Sequence, residues 1–179
     1  MHIVTEAIIL TQIRDAMVSV QQIAKHFRDV YFGGNWTAVN VKDVLADVSW
    51  QQATAKIYHL NSIADLVFHI NYYVAPVLKV LQGEPLKASD TLSFDLPPIT
   101  SEEEWQKLRT KVLTEAELLA DQIEKANEAI LFEDFAGTTE YGNYYRNLLG
   151  ITEHTHYHLG QIVMIKKILN GGGSADVHL

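Results

Sequence analysis

The sequence predicts an all-α protein in which four long helices form a four-helix bundle. Four segments of about 20–30 residues repeat their apolar side chains at steps of three and four residues, the period of a helix with one buried face. No segment alternates apolar and polar residues as a half-buried strand does. Four such helices bury their apolar faces most economically against one another. With 179 residues, the chain is expected to form one domain over residues 1–170, followed by a flexible tail at 171–179.

The first predicted helix covers residues 4–31 and ends at the glycine pair that follows it. Its apolar stripe consists of Ile9, Ile13, Ala16, Val20, Ile23 and Phe27. A connector at residues 36–49 follows, with a short helical turn expected at residues 41–45.

The second predicted helix begins after Ser49, which forms a capping box with Gln52, and continues to Gly83. Pro76 lies inside this helix and is expected to kink it or to break its last turn. The loop at residues 84–100 is long for a compact domain. Loops of this length are either functional or packed as a flap.

The third predicted helix begins at Ser101, with glutamates in its first turn where the helix dipole favours negative charge. A second connector occupies residues 131–142. The fourth predicted helix spans Asn143 to Asn170 and is stopped by three glycines at 171–173.

Composition excludes several function classes. The net charge of −8, without a local run of Lys and Arg, argues against nucleic acid as a partner. The chain has no cysteine, so a catalytic thiol and cysteine-bound metals are excluded. No apolar run is long enough to cross a bilayer, and the N-terminus lacks the pattern of a signal peptide. We therefore expect a cytoplasmic protein without a membrane partner.

Three histidines crowd into the fourth helix. His154 and His158 are four residues apart and therefore lie on the same helix face, whereas His156 points away from both. An imidazole pair at this spacing is a common way for a helix to hold a divalent metal ion. Two imidazoles need a third ligand to hold such an ion firmly.

His69 on the second helix is the best third ligand, because it shares a face with apolar residues. The spacing is equally compatible with His69 being a hydrogen-bonded histidine of the core that binds no metal. His59 lies too far along the same helix to share an ion with His69. We interpret His26 and the terminal His2 and His178 as surface residues.

The segments SIADLVFHI at residues 62–70 and HTHYHLGQI at residues 154–162 resemble those of the DinB-like superfamily. Trp36 and the stop at residues 83–85 extend the resemblance over most of the chain. It implies a four-helix bundle, a mononuclear site with the metal ligands His69, His154 and His158, and a homodimer. The family includes S-transferases that use small thiols such as bacillithiol, and mycothiol-dependent isomerases.

Three neutral imidazoles suit zinc or nickel, and also accept iron or manganese. Such an ion can activate water for hydrolysis or stabilise the thiolate of a small-molecule thiol. Asp65, one turn before His69, is a candidate to orient that imidazole, and Gln161 is a candidate to contact a ligand or substrate. We therefore expect a metal-dependent thiol S-transferase or small-molecule hydrolase. The alternatives are a non-catalytic, stress-related metal-binding protein and a purely structural bundle in which the clustering of histidines is coincidental.

Overall fold

The computed structural model describes residues 19–171, and within that range the protein is all-α. The helices of this part are α1 (Val20–Phe32), α2 (Val41–Leu45), α3 (Trp50–Thr54), α4 (Ile63–Leu81), α5 (Glu102–Lys125) and α6 (Tyr144–Leu169). The predicted all-α class is therefore confirmed. The first half of the helix predicted at 4–31 and most of the tail predicted at 171–179 lie outside the described residues.

Four long helices enclose the core of the described chain. Helices α1 and α4 each pack against both α5 and α6, so every long helix has two long neighbours. Their buried faces carry aliphatic side chains together with a few large aromatic ones. The largest fully buried side chains include Phe27, Tyr31, Ile70, Trp105, Leu119, Leu148 and Ile162. Across residues 19–171, no helix combines the length and the apolar character that a bilayer crossing requires.

Two sets of polar contacts hold neighbouring parts of the chain against α5. The indole Nε1–H of Trp105, which is fully buried, donates a hydrogen bond to the carbonyl oxygen of Val48 at 2.7 Å. The guanidinium of Arg28 on α1 contacts the carboxylates of Glu117, Asp121 and Glu124 on α5 at 2.8–3.1 Å. These contacts hold α1 and the connector before α3 against α5.

The prediction of one helix from Ser49 to Gly83 was wrong. The chain leaves helical geometry after Thr54, passes through residues 55–62, and starts again at Ile63. Both Ser49 and Ser62 form capping boxes, so each begins its own helix. The periodic apolar pattern continues across the break, but the capping box at Ser62 stabilises the start of a new helix there. His59 consequently lies in an exposed connector and not on a helix.

The uninterrupted helix predicted at 4–31 was also wrong, because Ser19 has extended backbone geometry and forms a capping box with Gln22, so that α1 begins at Val20. Several other boundaries agree with the sequence predictions. Ser101 caps α5 and Asn143 caps α6, which ends at Leu169. The turn expected at residues 41–45 is the short helix α2. Pro76 does not break α4, which continues past it to Leu81.

The loop at residues 84–100 is fastened to the outer side of α4. It contains a 3-10 turn at Asp90–Leu92. The hydroxyl of Tyr72 donates to the carbonyl oxygen of Ser89 at 2.9 Å, and the hydroxyl of Tyr73 donates to Asp90 Oδ1 at 3.0 Å. The loop therefore lies over the helix that carries His69.

The contribution of Ser62 to the start of α4 is testable by mutation. The Ser62 hydroxyl accepts a hydrogen bond from the Asp65 backbone N–H at 3.2 Å. Loss of an N-cap hydroxyl costs about 1 kcal/mol, so Ser62→Ala should lower the free energy of unfolding in urea by about that amount. Ser62→Thr keeps the hydroxyl and should recover most of the loss. Equal losses in both variants would show that the hydroxyl does not stabilise this helix start.

Candidate metal centre

Three histidine side chains from two helices meet between α4 and α6. His69 projects from α4, and His154 and His158 project from successive turns of α6. One ring nitrogen of each lies within 4.8 Å of one ring nitrogen of each of the others. His69 and His158 are buried, with 7% of each side chain exposed, and His154 is half-buried. The structure therefore brings together the three residues that the sequence singled out as ligands.

The ring of His69 is held by the loop at residues 84–100. Its Nδ1–H donates a hydrogen bond to the carbonyl oxygen of Ser93 at 3.2 Å. Phe94 stacks on the same ring, with the centroids 3.9 Å apart and the planes inclined by 10°. Because Nδ1 carries the proton, Nε2 keeps its lone pair and faces the other histidines.

The ring of His158 is oriented by a residue of the same helix, α6. The side-chain oxygen of Gln161, one turn further along α6, lies 2.8 Å from His158 Nδ1. An amide oxygen can only accept a hydrogen bond, so Nδ1 carries the proton and Nε2 keeps its lone pair. Gln161 therefore contacts a ligand histidine, as the sequence suggested.

His154 shows that no arrangement of protons satisfies all three rings. Its Nε2 lies 3.1 Å from Nε2 of His69. If His154 Nε2–H donates to His69, the buried Nδ1 of His154 keeps a lone pair without a partner among the described residues. His158 Nε2 also keeps its lone pair, because the proton of that ring lies on Nδ1. If the proton of His154 lies on Nδ1 instead, the lone pairs of His154 Nε2 and His69 Nε2 face each other, and a cation can satisfy both.

The electrostatics favour neutral rings. Burial, and then the neighbouring rings of His158 and His69, lower the pKa of His154 from 6.5 to about 4. Burial also lowers the pKa of His69, against the opposing effect of the Ser93 carbonyl. A neutral imidazole is the form that binds a metal ion. Protons therefore compete weakly for His154 and His69 near pH 7.

The geometry fits a divalent ion. Two nitrogens bound at 2.0–2.1 Å in a tetrahedral site lie roughly 3.3 Å apart, close to the 3.1 Å that separates Nε2 of His69 from Nε2 of His154. The acceptors on Nδ1 of His69 and His158 are of the kind that orient metal-binding histidines in general. The residues present therefore suit a divalent ion.

Asp65 does not take the role that its spacing suggested. Its carboxylate is occupied by Ser62 in the capping box and by an ion pair with Lys56. Both nitrogens of His69 have other partners, at Ser93 and His154. A backbone carbonyl from the loop at 84–100 orients His69 in place of the predicted carboxylate.

The remaining histidines lie away from the cluster of His69, His154 and His158. His156 points to the other side of α6, as expected, where its ring centroid lies 6.2 Å from that of His26 on α1. His26 is exposed and His156 is half-buried. Helical spacing within one helix could not reveal this pairing between two helices. His2 and His178 lie outside the described residues.

A cavity of about 630 Å³ adjoins the three histidines on the side of His154. Its wall combines apolar side chains from α4, α6 and two connectors with seven polar ones. The polar lining side chains are Tyr73, Asp90, Tyr141, Arg146, Asn147, Glu153 and His154. The sequence pointed to the histidines but not to Arg146 or Asn147, since nothing in their spacing marks a shared cavity.

No family model, curated protein or solved structure matches the chain. The DinB-like assignment therefore stays a prediction from the sequence segments around His69 and His154.

Removal of one ligand should abolish tight metal binding without unfolding the chain. Loss of an outer hydrogen-bond partner alone costs 10–100-fold in metal affinity, so His158→Ala should weaken zinc binding by about a hundredfold or more. Helical content should stay close to that of the wild type, because the helices already pack through a large apolar core. Competition with a chromogenic chelator and circular dichroism measure the two effects.

His156→Ala is the matched control for this experiment, because His156 lies two residues away on the opposite helix face. It should leave zinc affinity within about twofold, an allowance for experimental scatter and long-range effects. Equal loss in both variants would show that the three-histidine cluster is not the binding site.

The stability of the metal-free protein should depend on the protonation of His154. Its pKa is about 4 in the folded chain and about 6.5 when unfolded. Between these values the unfolded chain binds the extra proton, so the free energy of unfolding should fall as the pH drops from 6.5 towards 4. Urea denaturation in chelator at pH 7, 5.5 and 4.5 measures this slope. His154→Gln should make the slope shallower, and an unchanged slope would contradict the assignment.

Proposed function

We propose that the protein is a DinB-like enzyme that holds one divalent metal ion at His69, His154 and His158 and acts on a small molecule in the adjoining cavity. The observation that carries this proposal is the convergence of the three imidazoles at the edge of that cavity. A metal site that serves only to stabilise a fold is normally closed by protein ligands. Three protein ligands beside a cavity are the arrangement of a catalytic site.

The packing of the long helices supports the four-helix-bundle part of the proposal. Each of α1, α4, α5 and α6 packs against two of the others. In such bundles, metal sites are built in the interior from side chains on facing helices. The positions of His69 on α4 and of the other two ligands on α6 agree with that pattern.

The preferred reaction is the transfer of a small thiol to an electrophile. Zinc or nickel suits three imidazoles best, with iron or manganese as alternatives, and such an ion supplies Lewis acidity that favours the thiolate or hydroxide form of a bound group. The chain has no cysteine, so the sulfur must arrive with a cosubstrate. The sulfur forms a bond to carbon, the leaving group departs with its electron pair, and the thiol proton passes to solvent.

The chain's own residues hold and enclose the reactants. Ser93 and Gln161 orient two of the imidazoles, and Phe94 covers one face of His69. The hydroxyl of Tyr73 lines the cavity, and burial together with Asp90 raises the pKa of Tyr73. That hydroxyl therefore stays protonated near neutral pH.

Hydrolysis of a small substrate is the second candidate reaction. Glu153 lines the cavity beside His154, and a carboxylate in that position can accept a proton from an attacking water. The further expectations of a homodimer and a cytoplasmic location follow from the sequence interpretation and belong to the same proposal.

A conjugation assay tests the proposed reaction. Protein loaded with zinc or nickel should accelerate the reaction of a low-molecular-weight thiol with chlorodinitrobenzene, followed by absorbance. His154→Ala should lose at least about tenfold of that acceleration, since a general Lewis-acid contribution amounts to several kcal/mol. His156→Ala is the control and should keep the wild-type rate.

A panel of esters and amides runs in parallel with the thiols. A metal-dependent rate confined to that panel would replace transfer by hydrolysis. Tight metal binding without any metal-dependent rate would overturn the enzymatic proposal in favour of a protein that only binds metal.

A further inference from the structure

Arg146, an exposed residue of α6, lines the same cavity as His154. It lies eight residues before His154 on α6, which corresponds to about 12 Å along the helix axis. Both side chains line the same cavity. A single elongated molecule in the cavity can therefore contact Arg146 and His154 at once.

The guanidinium of Arg146 is held in place but keeps donors available. Its Nη1 donates to the carbonyl oxygen of Tyr141 at 3.0 Å. Gly142 has a φ of 74°, and a Cβ added there would lie 3.2 Å from Arg146 Cδ. The glycine therefore permits the left-handed turn before α6 and also leaves room for the arginine side chain. A guanidinium has five N–H donors, so this arrangement leaves several for a ligand.

No carboxylate of residues 19–171 lies within 4.0 Å of the Arg146 guanidinium nitrogens. Arg28, by contrast, is surrounded by three carboxylates on α5. An arginine that lines a cavity without an acidic partner is suited to a planar anion, which it can bind through two parallel hydrogen bonds.

The rest of the cavity restricts what that anion can be. The cavity wall also includes the apolar side chains of Pro76, Val77, Leu86, Phe135 and Ile151. Two carboxylates, Asp90 and Glu153, also line it. They disfavour a dianionic group such as a phosphate more strongly than a single negative charge.

The geometry points to an amphipathic monocarboxylate as the ligand class of this cavity, with its carboxylate on Arg146, its apolar body along α4 and α6, and its far end at the three histidines. This inference rests on the proposed function, because it orients the reacting end of that substrate towards the metal centre. In this arrangement Arg146 selects ligands that carry a carboxylate, and the reacting group of the ligand lies beside the three histidines.

The first experiment measures binding with a matched pair of probes, 6-phenylhexanoate and the neutral 6-phenylhexanamide. Calorimetric titration of the metal-free protein should show tighter binding of the acid. Arg146→Gln should weaken binding of the acid by about tenfold or more, the range expected for a hydrogen bond to a charged group, and should leave the amide nearly unchanged. Equal affinities of acid and amide for the wild type would overturn the inference.

Arg109→Gln is the matched control, because it removes the same charge from a residue that does not line the cavity. It should leave both affinities unchanged. Arg146→Lys keeps the charge without the planar fork and should bind the acid with intermediate affinity, which tests the assignment even if Arg146→Gln folds poorly. Loss of acid binding in the Arg109 variant equal to that in Arg146→Gln would attribute the effect to net charge and overturn the inference.

The second experiment measures the orientation of the acid probe. In the Co²⁺-loaded protein, proton relaxation should be enhanced more strongly for the phenyl ring than for the CH₂ beside the carboxylate, with the Zn²⁺-loaded protein as reference. The reverse gradient would mean that the carboxylate binds the ion and would overturn the inference.

The two experiments separate the inference from the proposed function. If Co²⁺ does not bind, the proposed metal site fails, while the difference between acid and amide still tests Arg146. If Co²⁺ binds and that difference is absent, the metal site stands and the ligand class is wrong.

Discussion

The convergence of three imidazole nitrogens between α4 and α6 is the constraint on which the functional interpretation depends. Two of the rings are oriented by acceptors on Nδ1, and the third has a buried nitrogen without a partner among the described residues. A buried polar atom without a partner costs free energy. The apolar contacts of the long helices must offset that cost in the metal-free chain. A cation bound at Nε2 of His69 and His154 would satisfy the lone pairs that meet there.

The loop at residues 84–100 contacts both the histidine cluster and the wall of the adjoining cavity. Its Ser93 carbonyl orients His69 and its Phe94 covers the ring, while Asp90 accepts a hydrogen bond from Tyr73 at the cavity wall. One loop therefore positions a ligand, shields it and shapes the adjoining space. Its length, unusual for a compact domain, has a physical explanation in these contacts.

Local signals predicted most helix boundaries, because caps act within four residues of the chain. Ser101 and Asn143 begin helices as expected. The break between α3 and α4 was missed, although Ser62 and Asp65 form a capping box as clear as that of Ser49 and Gln52. Apolar periodicity that continues across residues 55–62 concealed it. The capping box at Ser62 stabilises a new helix start there, although the apolar pattern continues without interruption.

The sequence by itself determined the all-α class and the three histidines, since both depend on spacing within one helix and on residue type. Only the tertiary structure decided what surrounds them: the carbonyl of Ser93 in place of Asp65 and the cavity that Arg146 shares with His154. A backbone carbonyl carries no residue-specific signal, and a cavity wall is assembled from segments far apart in the chain. Contacts of both kinds arise only once helices and loops have packed, so spacing along the sequence does not encode them directly.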